Sequence, residues 1–166
     1  MSYLEVRLEA HEELIAVTIG SMRRIKAIKR GGGEAYGRGD RAPWDDNIVG
    51  AMGELAFSRA TGRHWPMSME DYRAGLPDFP PDIEIKTLGR HSFDLTIRPD
   101  GHDDRRYVLV TGKRSPFRIH GWAWGHERER GELTDFSNGR PKQWRLAREL
   151  LHDIAEMVLD GQAQQE

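Results

Sequence analysis

A run of alternating charged and apolar residues is the stretch of the chain best suited to chemistry. Asp82, Glu84 and Lys86 are separated by Ile83 and Ile85. Because successive side chains of a β-strand point to opposite faces, a strand here would turn the isoleucines into the core and the three charged groups to the other face. Two carboxylates and an ammonium group are costly to bury together unless they pair, face water or hold a cation.

Asp78 adds a third carboxylate to this stretch. It stands six residues before Glu84, on the proline-rich turn that leads into the predicted strand, and can swing back toward Glu84. Mg²⁺ prefers oxygen ligands, and it takes one or two carboxylates while keeping water or substrate phosphate in its other positions. Asp78, Glu84 and the backbone carbonyl of Ile85 could supply such a site. Lys86 would then lie where an ammonium group can orient the attacking water or offset charge on a phosphate.

Glu54 is a further acidic candidate, on a helix predicted over about residues 47–60. The apolar side chains of this helix share one arc, and Glu54 lies well off it, with Gly50 one turn before it and Gly53 beside it. Each glycine lowers helix propensity by about 1 kcal/mol, a cost that close approach of another backbone or of a ligand would explain. We therefore expect room around Glu54, which could add a carboxylate through water or a second metal, or be an ordinary exposed residue.

Together these features resemble the PD-(D/E)XK nuclease superfamily. The resemblance rests on a helix with the pattern G-x-x-G-E-x-A from Gly50 to Ala56, a Pro-Asp pair and E-x-K on a strand. An apolar strand at residues 107–110 and the pair Gly121-Trp122 follow in the same order. The chain is most similar to small phage and prophage proteins of that group, over about residues 5–155.

The resemblance implies a restriction-endonuclease-like core and Mg²⁺-dependent hydrolysis of DNA phosphodiester bonds, with Mn²⁺ able to replace Mg²⁺. Asp78 and Glu84 would match the metal-binding acids, Lys86 the catalytic lysine and Glu54 the acid of the preceding helix. Asp82 is the alternative to Asp78, because it is predicted on the same strand face as Glu84. DNA is then the expected partner, and a homodimer is an expected form because cutting both strands often needs a second subunit.

Hydrophobic periodicity predicts the elements that position these residues. A helix is predicted from about residue 9, where residues recur at spacings of three and four: Leu14, Ile15, Thr18, Met22, Ile25 and Ile28. Strands are predicted at residues 3–8, 83–88, 93–98, 106–111, 117–124 and 143–146, and a last helix at 148–159. The short links between the middle strands favour an antiparallel meander. The whole predicts an α/β (α+β) fold, with a central mixed sheet flanked by helices.

Composition limits the function classes. The 166 residues fit one domain, predicted over residues 1–160, with a frayed tail at 161–166. The 25 basic and 27 acidic residues give a net charge of −2, which excludes a generally cationic nucleic-acid-binding protein but not a local basic patch. The absence of cysteine excludes disulfides and thiol catalysis. No apolar run approaches the ~20 residues of a membrane span, so we expect a cytoplasmic protein without a membrane partner.

Other interpretations remain open. Glu84 and Lys86 could be a solvated surface ion pair, and Asp82 could only cap the Pro-Pro turn. The protein could be a catalytically inactive DNA-binding or structural phage protein with a nuclease fold. A glycoside hydrolase would need two carboxylates facing each other across ~5–9.5 Å and would give Lys86 no role.

Overall fold

The computed structural model of the chain describes residues 3–30, 43–69, 75–136 and 141–163, of which residues 43–44 and 159–163 are described by their backbone alone. Within these ranges lie seven strands and three α-helices: β1 (Leu4–Val6), α1 (Ala10–Lys29), α2 (Pro43–Thr61), β2 (Ile83–Leu88), β3 (Leu95–Ile97), β4 (Arg106–Thr111), β5 (Phe117–Trp124), β6 (Glu132–Thr134), β7 (Gln143–Leu146) and α3 (Ile154–Ala163). Two 3₁₀ helices follow β5 and β7, at Gly125–Arg130 and Arg148–Leu150. None of the helices in these ranges has the length and apolar character to cross a membrane.

The main sheet has four strands in the order β1-β5-β4-β2. It is mixed, as expected, because β4 pairs in parallel with β2 and antiparallel with β5. The continuous apolar run of β4 predicts a strand covered on both faces, and Val108, Leu109 and Val110 are indeed fully buried. β2, which carries Glu84 and Lys86, is therefore an edge strand of the sheet, and its one partner in that sheet is the buried strand β4.

The predicted antiparallel meander is wrong. β3 leaves the main sheet and pairs with β7 in a second sheet of order β3-β7-β6, so β2 and β4 become parallel neighbours. Parallel neighbours need a long crossover connection, and residues 89–105, which include β3, supply it. Strand spacing along the sequence could not reveal which strand would leave the sheet.

The two faces of the main sheet are covered by different layers. Ile83 and Ile85 of β2 face a core shared with Phe57 of α2. Tyr107 and Leu109 of β4 face the second core, which the smaller sheet closes. Because side chains alternate along a strand, Glu84 and Lys86 project on the side of the smaller sheet, while α2 and its Glu54 lie on the other.

The residues that recur at helical spacing along α1, from Leu14 to Ile28, are exposed. The buried residues of this helix are Ala16, Ile19 and Gly20, on its opposite side. A Cβ on Gly20 would come within 2.6 Å of the Ile48 Cα of α2, so the two helices pack too closely for large side chains between them. The face of α1 that contacts α2 therefore requires a glycine at this point of close approach.

The end of the chain also differs from prediction. The segment predicted as one helix over 148–159 contains the 3₁₀ helix Arg148–Leu150 and then α3. Because α3 runs to Ala163, the first three residues of the predicted frayed tail are helical. Residues 164–166 lie outside the described part of the chain.

Candidate functional site

A tight turn brings Asp78 to the outer edge of β2. Phe79 and Ile83 exchange backbone hydrogen bonds of 3.0 and 2.9 Å, so the chain between them reverses direction. The backbone N–H of Ile85 then donates to Asp78 Oδ2 at 2.7 Å. The predicted return of Asp78 toward the strand is present, and the carboxylate binds the residue that lies between Glu84 and Lys86.

The backbone carbonyl of Ile85 lies along the same edge. In a parallel pair, alternate residues of a strand turn their N–H and C=O groups toward the partner strand. Asp82 and Leu88 accept hydrogen bonds of 2.8 and 2.9 Å from the N–H groups of Arg106 and Gly112, which fixes the even-numbered residues as those facing β4. Ile85 therefore turns its carbonyl away from β4, toward the side on which Asp78 binds.

Glu84 and Lys86 form a half-buried ion pair. Lys86 Nζ donates to Glu84 Oε1 at 2.8 Å, and the side chains of Lys86 and Glu84 are 32% and 19% exposed. The ammonium group also lies 5.6 Å from the ring centroid of Tyr107. Arg105 Nη1 lies 3.4 Å from the other Glu84 oxygen, and Arg105 Nη2 donates to the carbonyl of Gly75. The pair is thus more enclosed than a solvated surface pair, and both Glu84 oxygens face cations.

Asp82 has a different environment. It lies in the turn directly before β2, outside the strand predicted over residues 83–88. Arg106 donates from Nε and Nη2 to its two oxygens, at 2.8 and 2.9 Å. This bidentate ion pair occupies both oxygens, which leaves Asp78 as the carboxylate at the edge of β2.

Glu54 is buried, so the expectation of free space around it is wrong. Its carboxylate accepts hydrogen bonds from Arg23 Nη1 and Nη2, at 2.5 and 2.8 Å, and from Trp65 Nε1 at 2.9 Å. Its glycine neighbours behave differently from each other. A Cβ on Gly53 would overlap the Thr87 side chain of β2, as close packing predicts, whereas a Cβ on Gly50 would meet nothing within 4 Å.

The charges at this edge act on Asp78. Burial, followed by the negative charges of Glu54 and Glu84, raises the pKa of Asp78 to about 8, and the Ile85 N–H and Lys86 offset only part of this rise. On α1, burial lowers the pKa of Arg23, but its hydrogen bond and attraction to Glu54 outweigh burial and leave it raised. Among the described residues, no Lys or Arg forms an ion pair with Asp78. A cation at the β2 edge would therefore relieve repulsion among three carboxylates.

Three residues of the site were missed from the sequence: Arg23, Trp65 and Arg105. Arg23 looked like part of a basic helix end, although it follows Ile19 and Gly20 on the buried side of α1. Arg105 directly precedes β4, whose start pairs with the start of β2. That register could have been anticipated only with the parallel pairing of the two strands.

The donor set fits a hard cation that keeps several waters. No three Asp, Glu, His or Cys side chains converge as a metal-binding group within the described ranges. Mg²⁺ does not need such a group, since one or two carboxylates with carbonyl and water oxygens suffice. Asp78 and the carbonyl of Ile85 offer oxygens at one edge. Glu84 could add a third ligand if one of its oxygens exchanged Lys86 or Arg105 for the cation.

The raised pKa of Asp78 predicts that the metal-free protein loses stability between about pH 6.5 and pH 8. An unfolded Asp has a pKa of about 3.9, so in this window the folded state binds one more proton than the unfolded state. The free energy of unfolding therefore falls by up to about 1.4 kcal/mol per pH unit as the pH rises. His120 acts in the opposite direction, because burial, followed by the charges of Arg148, His91 and Arg118, lowers its pKa to about 4. That effect ends at the unfolded His value of about 6.5, below the window.

Urea unfolding in EDTA across this pH window measures the effect. Asp78→Asn keeps an oxygen that can accept from Ile85 and removes the titration, so its stability should be level across the window. A wild-type protein that is equally stable at both ends would contradict the assignment of Asp78.

Comparisons of the chain with protein-family models, curated proteins and solved structures found no match.

Proposed function

We propose that the protein is a Mg²⁺-dependent nuclease that hydrolyses phosphodiester bonds of DNA, with Mn²⁺ able to replace Mg²⁺. The hydrogen bond from the Ile85 N–H to Asp78 is the observation that carries the proposal. It sets a carboxylate of raised pKa beside an E-x-K pair on the outer strand of a mixed sheet. The resemblance to the PD-(D/E)XK superfamily supports the same activity and a restriction-endonuclease-like core.

The acidic residues and one backbone carbonyl would hold the ion. Asp78, Glu84 and the carbonyl of Ile85 are the ligands we assign to it. When bound, Mg²⁺ would stabilise charge on the phosphate and make water a better nucleophile at neutral pH. Asp78 would lose its proton to become a ligand, because a protonated carboxyl group is a poor donor to a cation.

The cations of the site would orient Glu84 and bind the DNA phosphate. Lys86 donates a hydrogen bond to Glu84 at 2.8 Å, so its positive charge lies where it would neutralise a phosphate bound at the site. Arg105 is tied to both Glu84 and the Gly75 carbonyl, which makes it a positioning residue for Glu84. Glu54 is held by Arg23 and Trp65, so we assign it an electrostatic effect on Asp78 and not a ligand role.

One observation favours a second candidate function, a catalytically inactive DNA-binding or structural protein. Lys86 and Arg105 already satisfy both oxygens of Glu84, as the members of a purely structural ion-pair network would. In that case metal would leave the protein unchanged and no DNA would be cut.

Cleavage assays separate the two functions. We expect the purified protein to nick or degrade supercoiled or linear DNA with Mg²⁺ or Mn²⁺ and to be inactive in EDTA. Lys86→Ala should slow cleavage by about 10²–10³-fold, the usual loss when one preorganised charge is removed. Lys113→Ala, in the exposed turn after β4, is the matched control and should keep wild-type activity. A folded wild-type protein that cuts no DNA with either metal would favour the inactive protein.

A further inference from the structure

Five large apolar side chains form a continuous exposed stripe along α1. We call them the α1 stripe: Leu14, Ile15, Met22, Ile25 and Ile28. Their exposed fractions run from 37% to 66%, and Thr18 and Ser21 complete the same face. The opposite face of the helix packs on α2. Contiguous apolar surface of this kind on a soluble protein usually marks an interaction site.

We propose that the α1 stripe binds the same stripe on a second copy of this chain, with the two helices antiparallel. A two-fold axis brings one patch against itself, so an apolar stripe along a whole helix is complementary to its own copy. Spacings of three and four residues, from Leu14 to Thr18, Ser21, Ile25 and Ile28, suit side-chain packing between two helices. Small residues at the centre of the stripe, Thr18 and Ser21, let the helices approach at the axis.

The charges of α1 select the antiparallel orientation. Glu9 and Glu13 lie at its start and Arg24 and Lys29 at its end. Glu12 and Arg23 also lie at these two ends, but they pair with Arg59 and Glu54 of α2. An antiparallel pair places the acidic end of each helix beside the basic end of the other. A parallel pair would set the two basic ends side by side. The charge pattern is thus complementary to its own copy in one orientation only.

Two other occupants fit the stripe less well. An anionic membrane attracts helices whose polar face is rich in Lys and Arg, whereas the start of α1 is acidic. Residues 31–42 follow α1, but their sequence is rich in glycine and charge and offers Tyr36 as its one large apolar side chain. A second copy of the chain offers the five large apolar side chains of its own α1 stripe.

The oligomeric state tests the proposal independently of nuclease activity. Light scattering coupled to size exclusion should give the wild type twice the chain mass of 19.0 kDa at about 100 µM. Met22→Glu with Ile25→Glu should give a monomer with unchanged circular dichroism. Leu76→Glu, at a leucine outside α1 that is 66% exposed, is the control and should remain dimeric. A monomeric wild type, or a dimer that survives the double substitution, would overturn the proposal.

Cross-linking tests the orientation, because the chain has no cysteine of its own. Ser21→Cys lies near the two-fold axis and should oxidise to a covalent dimer. Leu14→Cys should not, since at 1.5 Å per residue it lies roughly 15–20 Å from its counterpart in an antiparallel pair, beyond the reach of a disulfide. Cross-linking of both would indicate a parallel pair. Pelleting of a monomeric wild type with phosphatidylglycerol vesicles, lost in the double variant, would assign the stripe to a membrane and overturn the proposal.

Discussion

Asp78→Asn should slow DNA cleavage by about a thousandfold, whereas Asp82→Asn should stay within about tenfold of the wild type. Metal-ion catalysis contributes several kcal/mol of transition-state stabilisation, and about 4 kcal/mol corresponds to about a thousandfold in rate. Asp78 lies at the edge of β2 without a cationic partner among the described residues. Asp82 is fully engaged with Arg106, so its loss should leave the site intact.

The two variants are matched in chemistry but differ in the contacts they lose. Asn at position 78 can still accept from the Ile85 N–H, so the local fold should remain. Asn at position 82 weakens a charge-assisted pair and could cost about 1.5–3 kcal/mol of stability. Rates should therefore be compared well below both melting temperatures. If Asp82→Asn lost cleavage and Asp78→Asn retained it, the role of metal ligand would be assigned to Asp82 instead of Asp78.

Arg23→Met should destabilise the protein by about 3–5 kcal/mol, because it leaves the Glu54 carboxylate buried without its cation. Glu54 is 5% exposed, and the charge of Arg23 also acts on Asp78. For a chain of this length the loss corresponds to a melting temperature lower by roughly 6–20 °C. Differential scanning calorimetry measures it directly.

Two further variants isolate the cause. Glu54→Gln added to Arg23→Met removes the uncompensated charge and should restore part of the stability. Arg59→Met breaks an ion pair with Glu12 in which the arginine side chain is 42% exposed, and should cost about 0–1 kcal/mol. If Arg23→Met and Arg59→Met lowered the stability equally, the buried pair of Arg23 with Glu54 would contribute no more than an exposed ion pair.

Local patterns predicted the strand that carries the site. Alternation alone places Ile83 and Ile85 in the core and puts Glu84 beside Lys86, and the boundaries of β2, β4 and β5 agree with prediction. These features depend on residues two apart in the chain. The proline-rich turn likewise predicted that Asp78 returns to the strand, because the turn is short.

Contacts between distant residues could not be predicted. The exposed face of α1 follows from one close approach between Gly20 and Ile48. The burial of Glu54 depends on Arg23, which lies 31 residues earlier, and on Trp65. The parallel pairing of β2 with β4 required β3 to join β7 near the end of the chain. Each depends on packing that no local pattern encodes.

Titration of Mn²⁺ into the metal-free protein, followed by electron paramagnetic resonance, most directly tests whether the edge of β2 is a cation site. We predict one saturable Mn²⁺ site that Mg²⁺ displaces, weakened at least about tenfold in Asp78→Asn and unchanged in Asp82→Asn. Absence of saturable binding to the wild type, or equal binding by Asp78→Asn, would contradict the account.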